Sequence, residues 1–338
     1  MFHGFALTAG CSTRPGWLGL CSLLLATYLI GSTIPAAAQN DYPTKPITVI
    51  TPYAPAGAGD LTMRTLAKFM SKELGQSVIV DNRPGGATAL GLGMVARAAP
   101  DGYTIAYAPQ TMVVNPHLYK NISYDTFKDF VPIAKTAILK YVLVVNPSVP
   151  ANNMKELLAL AKANPEMLTF GSSGVGNGSH LAGELLMEMT GVKFLHIPYK
   201  GAAPALLDVM GGRISMMFDV VSTAEAHIRS GKVKAIAVAS VERSSVLPNI
   251  PTVAETVPGY SSEFWIGLAA PKGTPPERIN VLNKAVNKVL ANPELNQGLR
   301  AIGIDASVPN TPEEFAAFMR SEYQLWGNLI RQNNIKAE

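Results

Sequence analysis

Cysteine is almost missing from this chain. Its two cysteines, Cys11 and Cys21, both fall in the first 38 residues. That stretch has one basic residue before its apolar part, Arg14, and no acid. An apolar run from Trp17 to Ile34 follows, then the small tripeptide Ala36, Ala37, Ala38 before Gln39. This is the pattern of an export signal, and cleavage after Ala38 makes residues 1–38 a signal peptide. Gly, Ser, Thr and Pro interrupt the apolar run, which favours a cleaved signal over a membrane anchor. The exported chain then has neither thiol nor disulfide and is held together by its core alone.

Charge is also scarce. Charged residues are 15% of the chain, against about 25% in an ordinary globular protein. The 28 basic and 24 acidic side chains leave a net charge of +4, and no basic run or basic-aromatic cluster is present, so nucleic acid is excluded as a partner. The five histidines do not cluster at metal-ligand spacing. No metal site or cofactor is expected.

Short β-rich runs alternate with amphipathic stretches. "PITVITPY" (46–53) precedes "DLTMRTLAKFMSKEL" (60–74), in which Leu61, Met63, Leu66, Ala67, Met70 and Leu74 keep helical spacing. "SVIVD" (77–81) then completes a βαβ unit. The pattern continues with a helix near 88–98, strands at 103–109 and 141–147, and a helix at 153–163. Beyond these come the strands "LTFG", "FLHIP", "ISMMFD" and "KAIAVAS", with helices at 180–190 and 203–210. Alternation of this kind predicts an α/β fold with parallel sheets. The last 65 residues read as mostly helical, with Pro275 and Pro276 opening one helix and a Thr311–Glu314 capping box opening the last. The alternation breaks at 109–140 and again between Leu247 and Ser262. The chain therefore divides into a discontinuous domain I, residues 42–140 plus 262–338, and a domain II, residues 141–261, with a cleft between them, where small-molecule sites concentrate.

Two loops, one per domain, share a construction. "PYAPAGAGD" (52–60) and "GSSGVGNGSH" (171–180) each follow a strand, are rich in small residues, and lead into a helix. Glycine lets backbone amides approach a ligand, and a helix start adds unpaired N–H groups and a positive dipole end. Neither loop contains Lys or Arg, so a carboxylate held there is neutralised by amides and by the hydroxyls of Ser172, Ser173 and Ser179. The second loop does not keep the spacing of a dinucleotide fingerprint or a phosphate-binding lysine loop, nor that of a hydrolase elbow. An ordinary tight turn is the alternative for either loop taken alone. Candidate ligand contacts are Tyr53, Ala56, Gly57, Gly59 and Asp60 in the first loop, and Ser172, Ser173, Gly174, Asn177, Ser179 and His180 in the second. Gln110 and Thr111, with Asn115, extend the wall after the third strand. Asp60 and Asp219, each ahead of a helical stretch, are either N-caps or ligand contacts. His180 lines the cleft or supports it; no carboxylate is placed in the sequence to orient it for catalysis. Lys200, at a strand-to-helix turn, faces either an anion or solvent.

Several segments, in order, carry a resemblance: "PYAPAGAGD", "VDNRPGG", "APDGYTIAYAP", "FGSSGVGNGSHLAGELL", "HIPYKGAAPALLDVMGGRISMMFD", "PNIPTVAE" and "APKGTPPERINVLNKAV". Across nearly the whole exported chain the sequence resembles the substrate-binding proteins of tripartite tricarboxylate transporters, the Bug-type receptors. The resemblance implies a two-domain periplasmic-binding-protein-like (type II) fold that closes by a hinge, a small carboxylate held by the two loops, and a periplasmic monomer that delivers its ligand to integral-membrane transporter subunits. Presentation of the ligand to a sensor kinase is one alternative; an exported α/β enzyme acting on a small acid is another, and it would need an acid-base pair or nucleophile that the spacing does not supply. The sequence departs from the family where adjacent glycines are common: Ala56 precedes Gly57, and "NRPGG" continues "ATALG". Alanine at such a place restricts the backbone, so the loop geometry is expected to differ.

Overall fold

The computed structural model describes Gly10, residues 42–165 and residues 167–337. The expected signal peptide, Gly10 apart, lies outside the described residues, as do both cysteines. Among the described residues no helix is long and apolar enough to cross a membrane.

The chain opens with β1 (Ile47–Thr51), α1 (Ala58–Leu74) and β2 (Val78–Asn82). In α1 the residues Met63, Leu66, Ala67 and Met70 are buried at helical spacing, and Gly75 ends the helix in the left-handed conformation. A 3-10 turn at Gly86–Thr88 leads to α2 (Ala89–Ala96), β3 (Thr104–Pro109), α3 (Thr111–Leu118) and the long β4 (Phe130–Val145). Then come α4 (Met154–Ala163), β5 (Thr169–Ser172), α5 (Gly178–Thr190), β6 (Leu195–Pro198), α6 (Ala202–Met210), β7 (Met216–Val220), α7 (Val221–Arg229) and β8 (Lys234–Val238). The chain closes with β9 (Glu263–Pro271), α8 (Pro276–Leu290), α9 (Pro293–Ala301), β10 (Asp305–Ala306) and α10 (Pro312–Gln332). The Thr311–Glu314 capping box is present at the start of α10.

The expectation of parallel sheets is only half met. β1 is parallel to β2 and β3, and β5 is parallel to β6 and β7. However, β9 runs antiparallel to β3 and β4, and β4 runs antiparallel to β7 and β8. After β8 the chain carries only a 3-10 turn at Val253–Glu255 before β9, which lies antiparallel between β3 and β4. The strand expected at 141–147 begins at Phe130. Its register against β9 slips between Pro132 and Ala134 and again between Lys135 and Ala137, which is where a β-sheet tolerates a proline.

β4 changes partners within its length. From Phe130 to Lys140 it pairs with β9, ending with Lys140 opposite Glu263. From Tyr141, opposite Val220, to Val145 it pairs with β7. One strand thus belongs to two sheets, β2-β1-β3-β9-β4 on one side and β4-β7-β5-β6 on the other.

Glu322 of α10 ties the first sheet to its covering helices. One carboxylate oxygen accepts from the indole N–H of Trp265 (2.9 Å) on β9, from that of Trp326 (2.8 Å), and from the Gln110 amide (3.3 Å). Trp265, Trp326 and Gln110 are all buried. Replacing Glu322→Ala strands these donors, and leaving a buried donor unpaired costs about 1–3 kcal/mol. Urea unfolding of Glu322→Ala is expected to show a loss of roughly 2–4 kcal/mol at an unchanged m-value.

Candidate ligand-binding cleft

Where β4 changes partners, the residues around the switch open into a cleft of two adjoining chambers. The first, of about 430 Å³, lies between the Pro84–Thr88 turn with Thr111 and Asn115 on one side and Val175–Gly178 on the other. The second, of about 390 Å³, lies under Gly57, Ala58 and Gly59, with Tyr107, Leu139 and Val220 in its wall. Tyr53, Ala54, Tyr141 and Phe264 line both. Phe264 is opposite Leu139 and Tyr141 is opposite Val220 in the strand registers, so the walls of the second chamber are set by the two sheets of β4.

None of the described residues lining either chamber is charged. Helix starts face the cleft instead. The caps or first-turn residues of α1 (Gly57, Ala58, Gly59), α2 (Thr88), α3 (Thr111), α5 (Asn177, Gly178) and α7 (Val220) are in the walls. All five helices begin without a side-chain cap. Away from the cleft, α4, α9 and α10 are capped by Asn153, Asn292 and Thr311, while α6 and α8 begin without such a cap. An uncapped helix start offers N–H donors and a positive dipole end to an anion.

The loops that present these helix starts are strained. Four non-glycine residues among those described have positive φ, and three of them flank the cleft: Ala56 at 66°, Ala87 at 50° and Thr88 at 79°. A β-branched residue in this region is a genuine outlier, and such strain concentrates at functional sites. Each strained turn has a dedicated staple. The Ala56 N–H donates to Asp60 Oδ2 (2.9 Å), and Asp60 also accepts from Arg64 Nε (2.9 Å) and Asn82 Nδ2 (2.8 Å). On the other turn, Asn115 donates to the Ala87 carbonyl and to Thr88 Oγ1, and Thr88 shares a hydrogen bond of 3.0 Å with Thr111.

These contacts revise several sequence expectations. Asp60 is neither an N-cap nor open to a ligand: Gly57 is the cap, and the Asp60 carboxylate is buried with its acceptors occupied. Burial pushes its pKa up, but the hydrogen bonds from Arg64, Ala56 and Asn82 outweigh this and hold it below the usual carboxylate value. Asp219 likewise is not the cap of α7, which is Val220. It accepts from the Val220 N–H (2.8 Å) and Thr223 Oγ1 (2.7 Å) while burial raises its pKa. Gln110 turns into the core toward Glu322. Lys200 lines neither chamber.

The second loop divides into a half that lines the first chamber and a half that lies behind it. Asn177 lines the first chamber, together with Val175, Gly176 and Gly178, which sequence reasoning left out. Ser172, Ser173, Gly174, Ser179 and His180 line neither chamber. Ser179 Oγ accepts from the Ser173 N–H (2.9 Å), and Ser172 Oγ bonds His196 Nε2 (2.7 Å). His180 Nδ1 accepts from the Gly176 N–H (3.0 Å), while its Nε2 lies 3.1 Å from Glu184 Oε1. That glutamate is the orienting carboxylate that the sequence did not reveal; it stands four residues on, one helical turn along the same face. The rings of His180 and His196 stack at 3.9 Å, with Phe170 against His196 at 4.7 Å. Of the candidate residues, then, Tyr53, Gly57, Gly59, Thr111, Asn115 and Asn177 line the chambers, and Ala56 and the others do not. Phe264 and Tyr141, in hydrophobic strand runs, carried no sequence signal that sets them apart from core.

A family model described as "tripartite tricarboxylate transporter family receptor" matches residues 62–335. The chain belongs to this family. Its relatives include Protein BugT of Bordetella pertussis, 33% identical over 94% of this chain and 98% of BugT. Among solved structures, Rpa4515 of R. palustris with adipate is 31% identical, with a TM-score of 0.74 over 88% of this chain and 100% of that one. MatC from Rhodopseudomonas palustris with bound malate is 30% identical, with a TM-score of 0.70 over 86% and 100%. The periplasmic binding protein BugD is 35% identical, with a TM-score of 0.71 over 88% and 100%. The α/β binding-protein fold of this receptor family is therefore also the fold of this chain.

Two outcomes test the supports of the cleft. Asp60→Ala releases the Ala56 N–H and the Asn82 amide at a buried position, and chemical denaturation is expected to show a loss of about 2 kcal/mol. Burial and the neighbouring His180 push the pKa of His196 from 6.5 down to about 3. The unfolded chain thus takes this proton near pH 6.5 and the native protein only near pH 3, so stability falls as pH falls below about 6.5. Thermal unfolding from pH 7.5 to 4.5 is expected to show a falling midpoint for the native protein and a flatter profile for His196→Phe.

Proposed function

We propose that this receptor captures a small carboxylate in the cleft and delivers it, from the periplasm, to the integral-membrane subunits of a tripartite tricarboxylate-type transporter. The observation that carries the reading is the pairing of an uncharged wall with five uncapped helix starts. Such a wall stabilises an anion by oriented N–H groups and solvates a cation poorly. Relatives whose structures hold adipate and malate support the same ligand class. Residues 1–38 act as the cleaved export signal, and the receptor works as a monomer without cofactor or metal.

The cleft closes between two lobes, residues 42–140 with 262–338 and residues 141–261, hinged where β4 passes from Lys140 to Tyr141 and where the chain returns at Ser262. The carboxylate docks on the Val175 and Gly178 amides, the Gly176 and Asn177 N–H groups being held by His180 and the Gly174 carbonyl, and on the Thr88–Thr111 side of the first chamber, and Tyr53, Gly57 and Gly59 complete the enclosure. Closure needs contacts in both lobes, because a ligand shifts an equilibrium only by its differential affinity for the two states. The Ser172–His196 pair does not favour an enzyme. Ser172 is fully buried, the pair lies behind the loop instead of in the chamber wall, and His196 is held neutral by burial.

Titration calorimetry with mono- and dicarboxylates of two to eight carbons is expected to give at least one acid bound at one per chain and recovered chemically unchanged. A side chain at Gly178 points at Tyr141 and crosses the first chamber, so Gly178→Phe is expected to weaken that affinity at least 100-fold with an unchanged circular dichroism spectrum. Undiminished affinity in Gly178→Phe would place the site elsewhere, and conversion of the bound acid would make the protein an enzyme.

A further inference from the structure

The second chamber is larger and less polar than a short dicarboxylate needs. Its walls are Tyr53, Tyr107, Tyr141, Phe264, Leu139 and Val220, with Gly57 to Gly59 above. The aromatic groups are ordered edge to face: Tyr53 meets Tyr107 at 5.6 Å and Phe264 at 6.5 Å. This geometry leaves ring faces and edges available to a further ring. An apolar cavity of about 150 Å³ already accepts benzene, and this chamber measures about 390 Å³.

A second observation marks the chamber as ligand space and not as a packing defect. The Tyr107 hydroxyl is fully buried and has no hydrogen-bond partner. It lies beside the first turn of α1, 3.0 Å from where a Cβ on Gly59 would stand. A Cβ at 59 would press on this hydroxyl and, at 3.2 Å, on the Tyr53 ring, so glycine lets the start of α1 lie against two tyrosines of the chamber wall. A tightly packed core pairs its tyrosine hydroxyls; this one is left at the margin of a chamber that adjoins the anion-binding amides.

We infer that the preferred ligand is an aromatic monocarboxylate, whose carboxylate sits in the first chamber while its ring enters the second between Tyr53, Tyr141 and Phe264. The inference rests on the carboxylate-receptor reading and narrows it. The shared residues Tyr53, Ala54, Tyr141 and Phe264 make the two chambers continuous, so one molecule occupies both. A four-carbon diacid such as malate would leave the apolar chamber in contact with water and would carry a second charge toward a wall with no cation.

Calorimetry with four probes tests this: phenylacetate, adipate, malate, and benzyl alcohol as the ring without the acid. Phenylacetate is expected to bind at least tenfold tighter than adipate or malate, a difference of about 1.4 kcal/mol, and benzyl alcohol not at all. Val220→Phe, which places a ring in the second chamber from a partly exposed position, is expected to lower phenylacetate affinity by a larger factor than adipate affinity. Malate or adipate binding as tightly as phenylacetate would overturn the inference and leave the carboxylate reading standing. Binding of benzyl alcohol with comparable affinity, or of none of the three acids, would overturn both. Because the comparison of probes is made on the native protein, the conclusion does not depend on whether Val220→Phe folds.

Discussion

An anion taken into a site without a cation has to be neutralised by dipoles, and this requirement organises the cleft. A buried charge left unpaired is heavily penalised, so the backbone has to supply the compensation. Five helices begin at the cleft without a side-chain cap, and their first turns form its walls. Leaving a helix start uncapped costs about 1 kcal/mol. Holding Ala56, Ala87 and Thr88 at positive φ adds strain. Both costs fall on loops that are held in place by the side chains of Asp60 and Asn115. The chain spends stability where a ligand can return it.

The same requirement explains why the cleft sits where β4 changes partners. A strand that pairs with β9 up to Lys140 and with β7 from Tyr141 brings the ends of two sheets to one place. The helices that follow β1, β3, β5 and β7 then start around a common space, as ligands in open α/β sheets generally find. Tyr141 and Phe264 stand at that switch and line both chambers, so the strand that changes partners is itself part of the wall. Movement of one sheet relative to the other would therefore be felt directly by a bound molecule.

Much of this was legible in the residues. Hydrophobic periodicity located most helices and strands, because burial on one face imposes a period of 3.6 or 2. The glycine-rich loops announced themselves through backbone freedom and the lack of basic residues. What the sequence hid was tertiary. Whether Asp60 caps a helix, meets a ligand or pins Ala56 depends on Asn82, which lies 22 residues away, and on Arg64. The serines of the second loop have the right chemistry for a ligand, but their hydroxyls are used on Ser173, His196 and each other. Asn115 looked like a wall residue and holds the Ala87–Thr88 turn as well. Phe264 and Tyr141 read as core because a strand at a sheet switch has the same apolar pattern as one inside a sheet.

The central claim is that backbone amides from both sides of β4, and no charged side chain, hold one ligand. Hydrogen–deuterium exchange measured with and without a saturating carboxylate tests it most directly, since amides that bind a ligand exchange more slowly. The account predicts slower exchange together in peptides covering residues 54–60, 84–90 and 174–180. Slowing confined to one of these segments, or found around a cluster of lysines or arginines on the surface, would contradict it.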